Sequence, residues 1–437
     1  GTCREAAYRH PTRVGPPEAK TYSISQGRVF VIGGGKASGA MAEVLEDILS
    51  PENITAGIVN CNSTGYQTAK IKINAASHPT PDRAGIEGVK RMLALISRYS
   101  INESDLIICL ISGGGSALLP YPVDEITLAE KQEITALLLK SGPTIHEINA
   151  VRKHLSQIKG GRLGRFFSPA RVVSLILSDV IGNDLDVIAS GPTAPDKSTF
   201  PDALKVLEKY NLLSKAPPKV VEFLKRGCAG EIEETPKKLD NCDNFIIGDN
   251  RLALEAMAEK ARTLGFKPYI VSAAQQGDPG EAAELRAKEI LKGKYKGYDV
   301  LLVGGETTPK LPKDPGKGGR NRHFAAASLS ALQDYPGEWV MAAVGTDGAD
   351  FLPDAAGAIV DRISAVRLKS KAPGGCTLST ASRRNDRDRT AESKSIDIRS
   401  YLKRYDSSTL FEKIGDSLIR TGGTGTNAGD VAVYLLK

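Results

Sequence analysis

The chain has 437 residues, of which 41% are hydrophobic and 25% are charged, and its net charge of +7 comes from 58 basic and 51 acidic side chains. These values exclude a disordered or collagen-like chain, and the length favours two domains that each bury a core. Because many acids lie among the basic residues, the charge fits an anionic small molecule better than nucleic acid.

The cysteine pattern and the length of the apolar runs favour the reducing cytoplasm. The six cysteines form no CxxC pair and show no regular spacing, so neither a zinc site nor a disulfide framework is predicted. No apolar run approaches the roughly 20 residues of a membrane span, and the amino end has no secretory pattern. We therefore expect a cytoplasmic protein that is neither secreted nor bound to a membrane.

A short apolar run, a glycine-rich turn and a segment of 3.6-residue periodicity alternate along most of the chain. This alternation predicts βαβ units, and therefore an α/β fold with largely parallel sheets. The predicted strands are 28–32, 106–111, 172–177, 245–247, 269–272, 299–303, 340–344 and 431–436.

Two helices are predicted from periodicity and end signals. A helix over 38–49 is expected to bury one apolar face, made of Met41, Val44, Leu45, Ile48 and Leu49. A second helix, near 128–140, begins with the capping box of Thr127 and Glu130 and stops at Gly142.

The glycine-rich pattern lapses between residues 196 and 244, where lysine-rich helical sequence takes its place. A domain boundary is therefore predicted near residue 240, which gives domains over 1–240 and 241–437. The charged, Ser/Thr-rich stretch 369–394 has little apolar periodicity and is expected to be a mobile loop.

Seven predicted strand ends or loops are rich in glycine, hydroxyl or acidic residues. They are GGGKAS (33–38), SGGGSALL (112–119), SDVIGND (178–184), GDN (248–250), GGETT (304–308), GTDGAD (345–350) and GGTGTNAGD (422–430). Glycine lets backbone amides approach a ligand at the carboxyl ends of parallel strands, and helix N-termini attract anions. A single such loop has an even chance of being only a tight turn, so the prediction of a phosphate site depends on their number.

Lys36 follows three glycines at a strand-to-helix turn, where its ammonium would face a bound anion. The loop matches neither the P-loop GxxxxGK[ST] nor the dinucleotide fingerprint GxGxxG. We predict that Lys36 binds phosphate, with Gly34, Gly35 and the loop Ser112, Gly113, Gly114, Gly115 and Ser116 as further binding residues; a solvated surface lysine is the alternative.

Three acids directly follow apolar strands, namely Asp179, Glu306 and Asp347. Phosphoryl transfer needs Mg²⁺ held by carboxylates and a residue that orients or deprotonates the attacking hydroxyl. All three are candidate metal ligands, and a carboxylate that caps a neighbouring loop is the alternative for each. Arg152, Lys153, Arg320 and Arg322 are cations suited to a carboxylate or phosphate.

Several long motifs together resemble one family. They are SGGGSALL, HEINAVRKHLSQIKGGRL, LSDVIGNDLDVIASGPTAPD, GGETT, GGRNRHFAAASL, GTDGADFLPDAAGAIVD and TGGTGTNAGDVAVYLL. Read together, they resemble the glycerate 2-kinases whose carboxyl half is called the MOFRL domain. The resemblance implies two Rossmann-like α/β domains with an active-site cleft between them.

The resemblance also implies a reaction and the residues that perform it. ATP would phosphorylate D-glycerate at its 2-hydroxyl with Mg²⁺, in a monomer or homodimer. Lys36, Asp179, Arg320 and Asp347 would be catalytic, with Asp179 favoured as general base. Arg152, Lys153, Glu306 and Asn427 would bind substrate or nucleotide, and Arg320 and Asn427 would complete the cleft from the second domain.

This sequence departs from the family pattern in three places. Asn183 stands where family members usually have Asp, Phe351 stands where the pattern expects glycine, and 369–394 resembles an insertion. The strongest alternative function is a nicotinamide-dependent hydroxypyruvate reductase. That function predicts a dinucleotide fingerprint followed by an acid about 20 residues later, and this pattern is missing.

Overall fold

The computed structural model describes residues 20–22, 27–369 and 396–437. All of the predicted loop 369–394 except Lys369 lies outside these residues. Contacts divide the chain into two compact units. The first runs to Asp249 and includes Gly425–Ala428, and the second comprises Asn250–Thr424 and Gly429–Lys437.

The first unit contains a six-stranded sheet in which every pair of neighbouring strands is parallel. Its strands are β1 (Val29–Gly34), β2 (Ala56–Cys61), β3 (Ile71–Ala75), β4 (Leu106–Ile111), β5 (Arg171–Leu177) and β6 (Cys242–Gly248). Their order across the sheet is β3-β2-β1-β4-β5-β6. This is the strand order of doubly wound nucleotide-binding sheets. Successive strands are added on one side of β1 up to β3 and on its other side from β4 onward, so the order of addition switches sides between β1 and β4.

Helices cover both faces of this sheet. The helices of the first unit are α1 (Ser38–Leu49), α2 (Arg83–Tyr99), α3 (Gly115–Leu118), α4 (Leu128–Ser141), α5 (Ile145–His154), α6 (Arg162–Phe166), α7 (Phe200–Lys209) and α8 (Pro218–Cys228). Phe30 and Ile32 of β1 pack in the same core as α2, whereas Val29 and Val31 pack in the core of α1. Burial on both faces explains the continuous apolar sequence of the strands.

The helical stretch before β6 has an apolar core of its own, built by α4, α5, α7 and α8. After this excursion the chain returns to the first sheet, because β6 pairs in parallel with β5. Strand β6 is therefore the edge strand of the first sheet, and the contacts divide the chain after Asp249.

The second unit contains a mixed six-stranded sheet. Its elements are α9 (Asn250–Thr263), β7 (Pro268–Gln275), α10 (Pro279–Leu291), β8 (Val300–Gly305), α11 (Arg320–Ala331), β9 (Trp339–Gly345), β10 (Gly357–Asp361), α12 (Arg362–Lys369), α13 (Ile398–Lys403), α14 (Ser407–Ile414), β11 (Leu418–Ile419) and β12 (Asp430–Leu436). The strand order is β11-β10-β9-β12-β8-β7. Strands β7, β8, β9 and β11 run in one direction, and β10 and β12 run in the other.

The predicted α/β class is confirmed, and the first sheet is wholly parallel as expected, whereas one strand pair of the second sheet is parallel. The predicted helix over 128–140 is also confirmed. Helix α4 begins with both hydrogen bonds of the Thr127–Glu130 capping box and ends at Gly142 in a left-handed conformation. Each described helix is either too short or too polar to span a bilayer.

The predicted buried face of α1 is partly wrong, although the helix has the predicted bounds. Leu45 is buried and Met41 and Leu49 pack against its core, but Val44 is 54% exposed and Ile48 is 67% exposed. The buried side also includes Ala42 and the polar Glu46, which is 4% exposed. The Glu46 carboxylate accepts hydrogen bonds from the backbone amides of residues 69, 70 and 71. A buried acid that organises the start of β3 therefore takes a position that periodicity assigns to solvent.

Candidate functional site

Two glycine-rich loops follow β1 and β4, the neighbouring strands between which the order of the first sheet reverses. The backbone N–H of Lys36 donates to the carbonyl oxygen of Gly113 (2.9 Å), and that of Ala37 donates to Ser112 Oγ (2.9 Å). These bonds hold the two loops side by side at the carboxyl edge of the sheet. Ligands of open α/β sheets bind at this place.

Gly114 and Gly113 allow other side chains to approach the second loop. Gly114 has a φ of 80°, and a Cβ on it would lie 3.1 Å from Lys36 Cγ and 2.9 Å from His78 Cδ2. The half-buried Lys36 and the imidazole of His78 therefore flank the loop. His78 was not among the predicted residues, because a single histidine in a loop has no distinguishing pattern.

Asp179 and Asn427 meet above Gly113. Asn427 Nδ2 donates to Asp179 Oδ2 at 2.7 Å, and Asn427 is 4% exposed. A Cβ on Gly113 would lie 2.0 Å from each of these two atoms, so only glycine leaves room for the pair. Asp179 follows β5, the neighbour of β4. Asn427 was expected in the second domain, yet its segment Gly425–Ala428 groups with the first unit.

The two predicted cations of α5 have different surroundings. Lys153 is 2% exposed, and its Nζ donates to Asp186 Oδ2 (2.8 Å) and Asp196 Oδ1 (3.1 Å). This double ion pair gives Lys153 a structural contact within the first unit. Arg152 is half-buried and has no hydrogen-bond or ion-pair partner among the residues that the structure describes.

In the second unit, Arg320 lies between two carboxylates. Its Nη1 donates to Glu306 Oε1 (2.6 Å), its Nη2 donates to Asp430 Oδ1 (3.1 Å), and its Nε lies 2.5 Å from Asp430 Oδ2. Glu306 follows β8. Asp430 begins the antiparallel β12, where it is paired with Gly305 and Gly345. Strand direction thus brings the start of β12 to the carboxyl ends of β8 and β9.

Burial and the opposite charges act against each other within this trio. Asp430 is 8% exposed, and burial raises the pKa of its carboxyl to about 6 although Arg320 and Asn321 act in the opposite direction. The two acids in turn raise the pKa of Arg320, which remains a cation. Asp430 closes the predicted glycine-rich loop 422–430 but was not singled out, because its contacts depend on pairing with residues distant in sequence.

Asp347 and Asp350 lie in the loop after β9. Asp347 Oδ1 accepts from the amide of Ala349 (3.1 Å). The buried Asp350 accepts from the amides of Asn321 (2.9 Å) and Arg322 (2.8 Å), and therefore caps α11. Arg322 is fully buried and also bonds to Asp350, which shows that this predicted cation is structural in the second unit.

Two of the departures from the family pattern have local structural consequences. Phe351, at the position where the pattern has glycine, has a φ of 65° and is 88% exposed, so its backbone is strained. Asn183 has a φ of 55°, and its Nδ2 donates to Asp249 Oδ2 at 2.6 Å. An aspartate at position 183 would bring two carboxylates together.

The predicted metal ligands Asp179, Glu306 and Asp347 are distributed over both units. Within the described parts of the chain, the one group of three ligand-type side chains whose ligand atoms lie within 4.8 Å of one another is His146, Asp184 and Asp186. Asp186 is already paired with Lys153. The metal role of the three predicted acids stays a prediction.

Comparison with known proteins agrees with this architecture. Residues 4–225 match the family described as a domain of unknown function, DUF4147, and residues 299–386 match the MOFRL family. The strand order and the strand-end loops define a doubly wound α/β protein. The chain belongs to the family of DUF4147–MOFRL glycerate kinases.

Relatives and a solved structure cover nearly all of the chain. A protein of Pyrococcus horikoshii named glycerate 2-kinase is 38% identical over 425 residues, which are 96% of this chain and 89% of the relative. The crystal structure of a glycerate kinase from Thermotoga maritima superposes with a TM-score of 0.78 at 36% identity, covering 95% of this chain and 92% of that one. A protein of Agrobacterium vitis named provisionally as a hydroxypyruvate reductase is 37% identical over 94% of this chain and its own full length.

Proposed function

We propose that this chain is an ATP-dependent glycerate 2-kinase, which transfers the γ-phosphoryl group of ATP to the 2-hydroxyl of D-glycerate. The observation that carries the proposal is the Asp179–Asn427 pair above Gly113 (2.7 Å), beside the loop of Lys36. A carboxylate, a lysine and backbone donors lie together where a doubly wound sheet binds ligands. These are groups that phosphoryl transfer requires.

Each group has a distinct role in the proposed reaction. Asp179 accepts the proton of the 2-hydroxyl, and Asn427 orients its carboxylate by donating to Oδ2. The freed alkoxide oxygen attacks the γ-phosphorus, the bond from that phosphorus to the bridging oxygen breaks, and ADP leaves. Lys36 and the amides of Gly113, Gly114 and Ser116 stabilise charge on the transferring group.

Each unit offers a carboxylate of the type that Mg²⁺ accepts together with nucleotide phosphates. Asp179 in the first unit and Asp347 in the second are each half-buried. When bound, the ion would neutralise charge on the phosphates. Within the second unit, Arg320, Glu306 and Asp347 remain candidate nucleotide or metal residues; the guanidinium on Glu306 makes that acid the weakest metal candidate.

The alternative reductase has less support. The loop after β1 reads GGGKAS, so it lacks the glycine spacing that lets a pyrophosphate reach a helix N-terminus. Lys36 and Asp179 also have no evident task in hydride transfer.

A paired assay tests the proposal. The protein is incubated with ATP, Mg²⁺ and D-glycerate while ADP is measured, and separately with NADH or NADPH and hydroxypyruvate while absorbance at the nicotinamide band is followed. We expect ADP formation that depends on D-glycerate, and no nicotinamide oxidation. Nicotinamide oxidation without ADP formation would establish the reductase instead.

A further inference from the structure

Five basic side chains gather in the first unit around the loop that connects α5 to α6. They are Lys131, Arg152, Lys153, Lys159 and Arg162. Lys153 is neutralised by two aspartates, and Glu234, Asp196 and Glu233 all act favourably on the charge of Arg162. The other three, Lys131, Arg152 and Lys159, form no hydrogen bond or ion pair with an acid among the described residues.

The two lysines of this trio are buried against neutral oxygen atoms. Lys131 is 5% exposed and its Nζ donates to the carbonyl oxygen of Leu155 (3.2 Å). Lys159 is 1% exposed, and its Nζ donates to the carbonyl oxygens of Ser116 (2.9 Å) and Ala189 (3.5 Å). Carbonyl oxygens satisfy the donors but carry no compensating charge. The charged forms of the two lysines are therefore unfavourable in this low-dielectric environment unless an anion lies beside them.

The pKa values of both lysines are lowered in these surroundings. Burial, followed by repulsion from Arg152 and Arg162, lowers the pKa of Lys131 to about 7. Burial and repulsion from Lys131 and Arg152 lower the pKa of Lys159 well below its ordinary value. An anion bound among these groups would relieve the repulsion, and perturbed clusters of this kind occur preferentially at functional sites.

The trio adjoins the proposed catalytic loop. Lys159 Nζ donates to the carbonyl oxygen of Ser116. Ser116 is three residues after Gly113, so these two loop residues are at most roughly 10 Å apart along the backbone. Ser116 Oγ lies 3.0 Å from Ser190 Oγ, and Ser190 Oγ donates to Asn149 Oδ1 (3.1 Å) on α5, the helix that carries Arg152. A continuous polar network thus connects the catalytic loop to the helix of the unpartnered arginine.

We propose that Arg152, supported by Lys159 and Lys131, binds the carboxylate of the acceptor substrate. This inference rests on the proposed kinase function. Two anionic groups enter that reaction, and Mg²⁺ neutralises much of the charge of the nucleotide phosphates. The carboxylate of a small hydroxy acid has no such counter-ion, and a planar guanidinium binds it through two parallel hydrogen bonds.

The test compares Arg152→Gln and Arg152→Lys with the control Arg165→Gln. Arg165 is an exposed arginine on α6 that pairs with Glu233. Arg152→Gln is expected to raise the KM for D-glycerate about 10- to 100-fold while the KM for ATP changes less than about threefold. The KM of Arg152→Lys for D-glycerate should lie between those of the wild type and Arg152→Gln, because lysine keeps the charge but loses the paired hydrogen-bond donors. Added guanidinium should partly restore the affinity of Arg152→Gln for D-glycerate. The control should match the wild type.

Three outcomes would overturn the inference while leaving the kinase in place. One is an unchanged KM for D-glycerate in Arg152→Gln. Another is a selective rise in the KM for ATP, which would assign the guanidinium to the nucleotide. A large loss of thermal stability in Arg152→Gln would assign it a structural role instead.

Calorimetry without nucleotide separates this inference from the proposed function. The wild type should bind D-glycerate and D-lactate but not glycerol, and Arg152→Gln should bind none of them. That pattern supports the carboxylate site even if no phosphoryl transfer is observed. A wild-type protein that binds no hydroxy acid would overturn it.

Discussion

Replacement of Gly113 by alanine is predicted to reduce catalysis much more than stability. No positive φ constrains Gly113, so alanine can adopt its backbone conformation, yet the new Cβ would lie 2.0 Å from Asn427 Nδ2 and from Asp179 Oδ2. To reach an ordinary contact of 3.4 Å, both atoms must move by 1.4 Å, the difference between 3.4 and 2.0 Å. Both are ends of side chains, so the movement costs only about 1 kcal/mol in lost hydrogen bonding.

The effect on turnover should be larger, because a displacement of about 1 Å at a reacting group can reduce the rate about 100-fold. We expect kcat of Gly113→Ala to fall by about that factor, while the free energy of unfolding from urea titration falls by about 1 kcal/mol. Gly65→Ala is the matched control, since the nearest neighbour of a Cβ there is Ser63 Oγ at 4.0 Å and its φ is not positive. A fully active Gly113→Ala, or an equal loss in the control, would refute the placement of Asp179 and Asn427 at the reacting centre.

Three further predictions concern single side chains. Asp179→Asn should lower kcat about 10²- to 10⁴-fold with little change in the KM for ATP, because the proton acceptor is removed; steady-state kinetics that match the wild type would eliminate Asp179 as the base. Lys131→Met should stabilise the protein at pH 7 and flatten its stability between pH 7 and 10.5. In that range the unfolded lysine is protonated but the folded one is neutral, so the free energy of unfolding of the wild type rises by up to about 1.4 kcal/mol per pH unit. Urea titrations at several pH values measure this dependence. The same dependence of unfolding free energy on pH in both proteins would show that the lysine is not buried. Phe351→Gly should raise the free energy of unfolding by about 0.5 to 1 kcal/mol through relief of its left-handed backbone, whereas Phe351→Ala should not; an equal gain in both would attribute the effect to the exposed ring.

The strands of both sheets were largely predictable, because a strand buried on both faces is a continuous apolar run. Strand β4 has the predicted bounds, and the predicted run 172–177 differs from β5 by one residue. Strands β2, β3, β10 and the two-residue β11 were not predicted. The sequences of the first three, AGIVNC, IKINA and GAIVD, contain small or polar residues that weaken the apolar signal. Strand direction in the second sheet also depends on partners distant in sequence, so the reversal of β10 and β12 was not predictable from periodicity.

Parts of the candidate site were predictable for a similar reason. Strand-end glycines identified the loops of Lys36 and Gly113, because backbone access to a ligand requires glycine locally. The contact of Asp179 with Asn427 joins residues 248 positions apart, and no local pattern indicates it. Asp430 was missed because its role depends on antiparallel pairing with β8 and β9.

The measurement that tests the central claim most directly is identification of the phosphorylated product. The protein is incubated with ATP, Mg²⁺ and D-glycerate, and the product is examined by phosphorus NMR with proton coupling. A phosphate on the 2-oxygen couples to the single proton at C2 and should appear as a doublet, which is the result that the proposed function predicts. A triplet from coupling to the two protons at C3, or no phosphorylated glycerate, would contradict it.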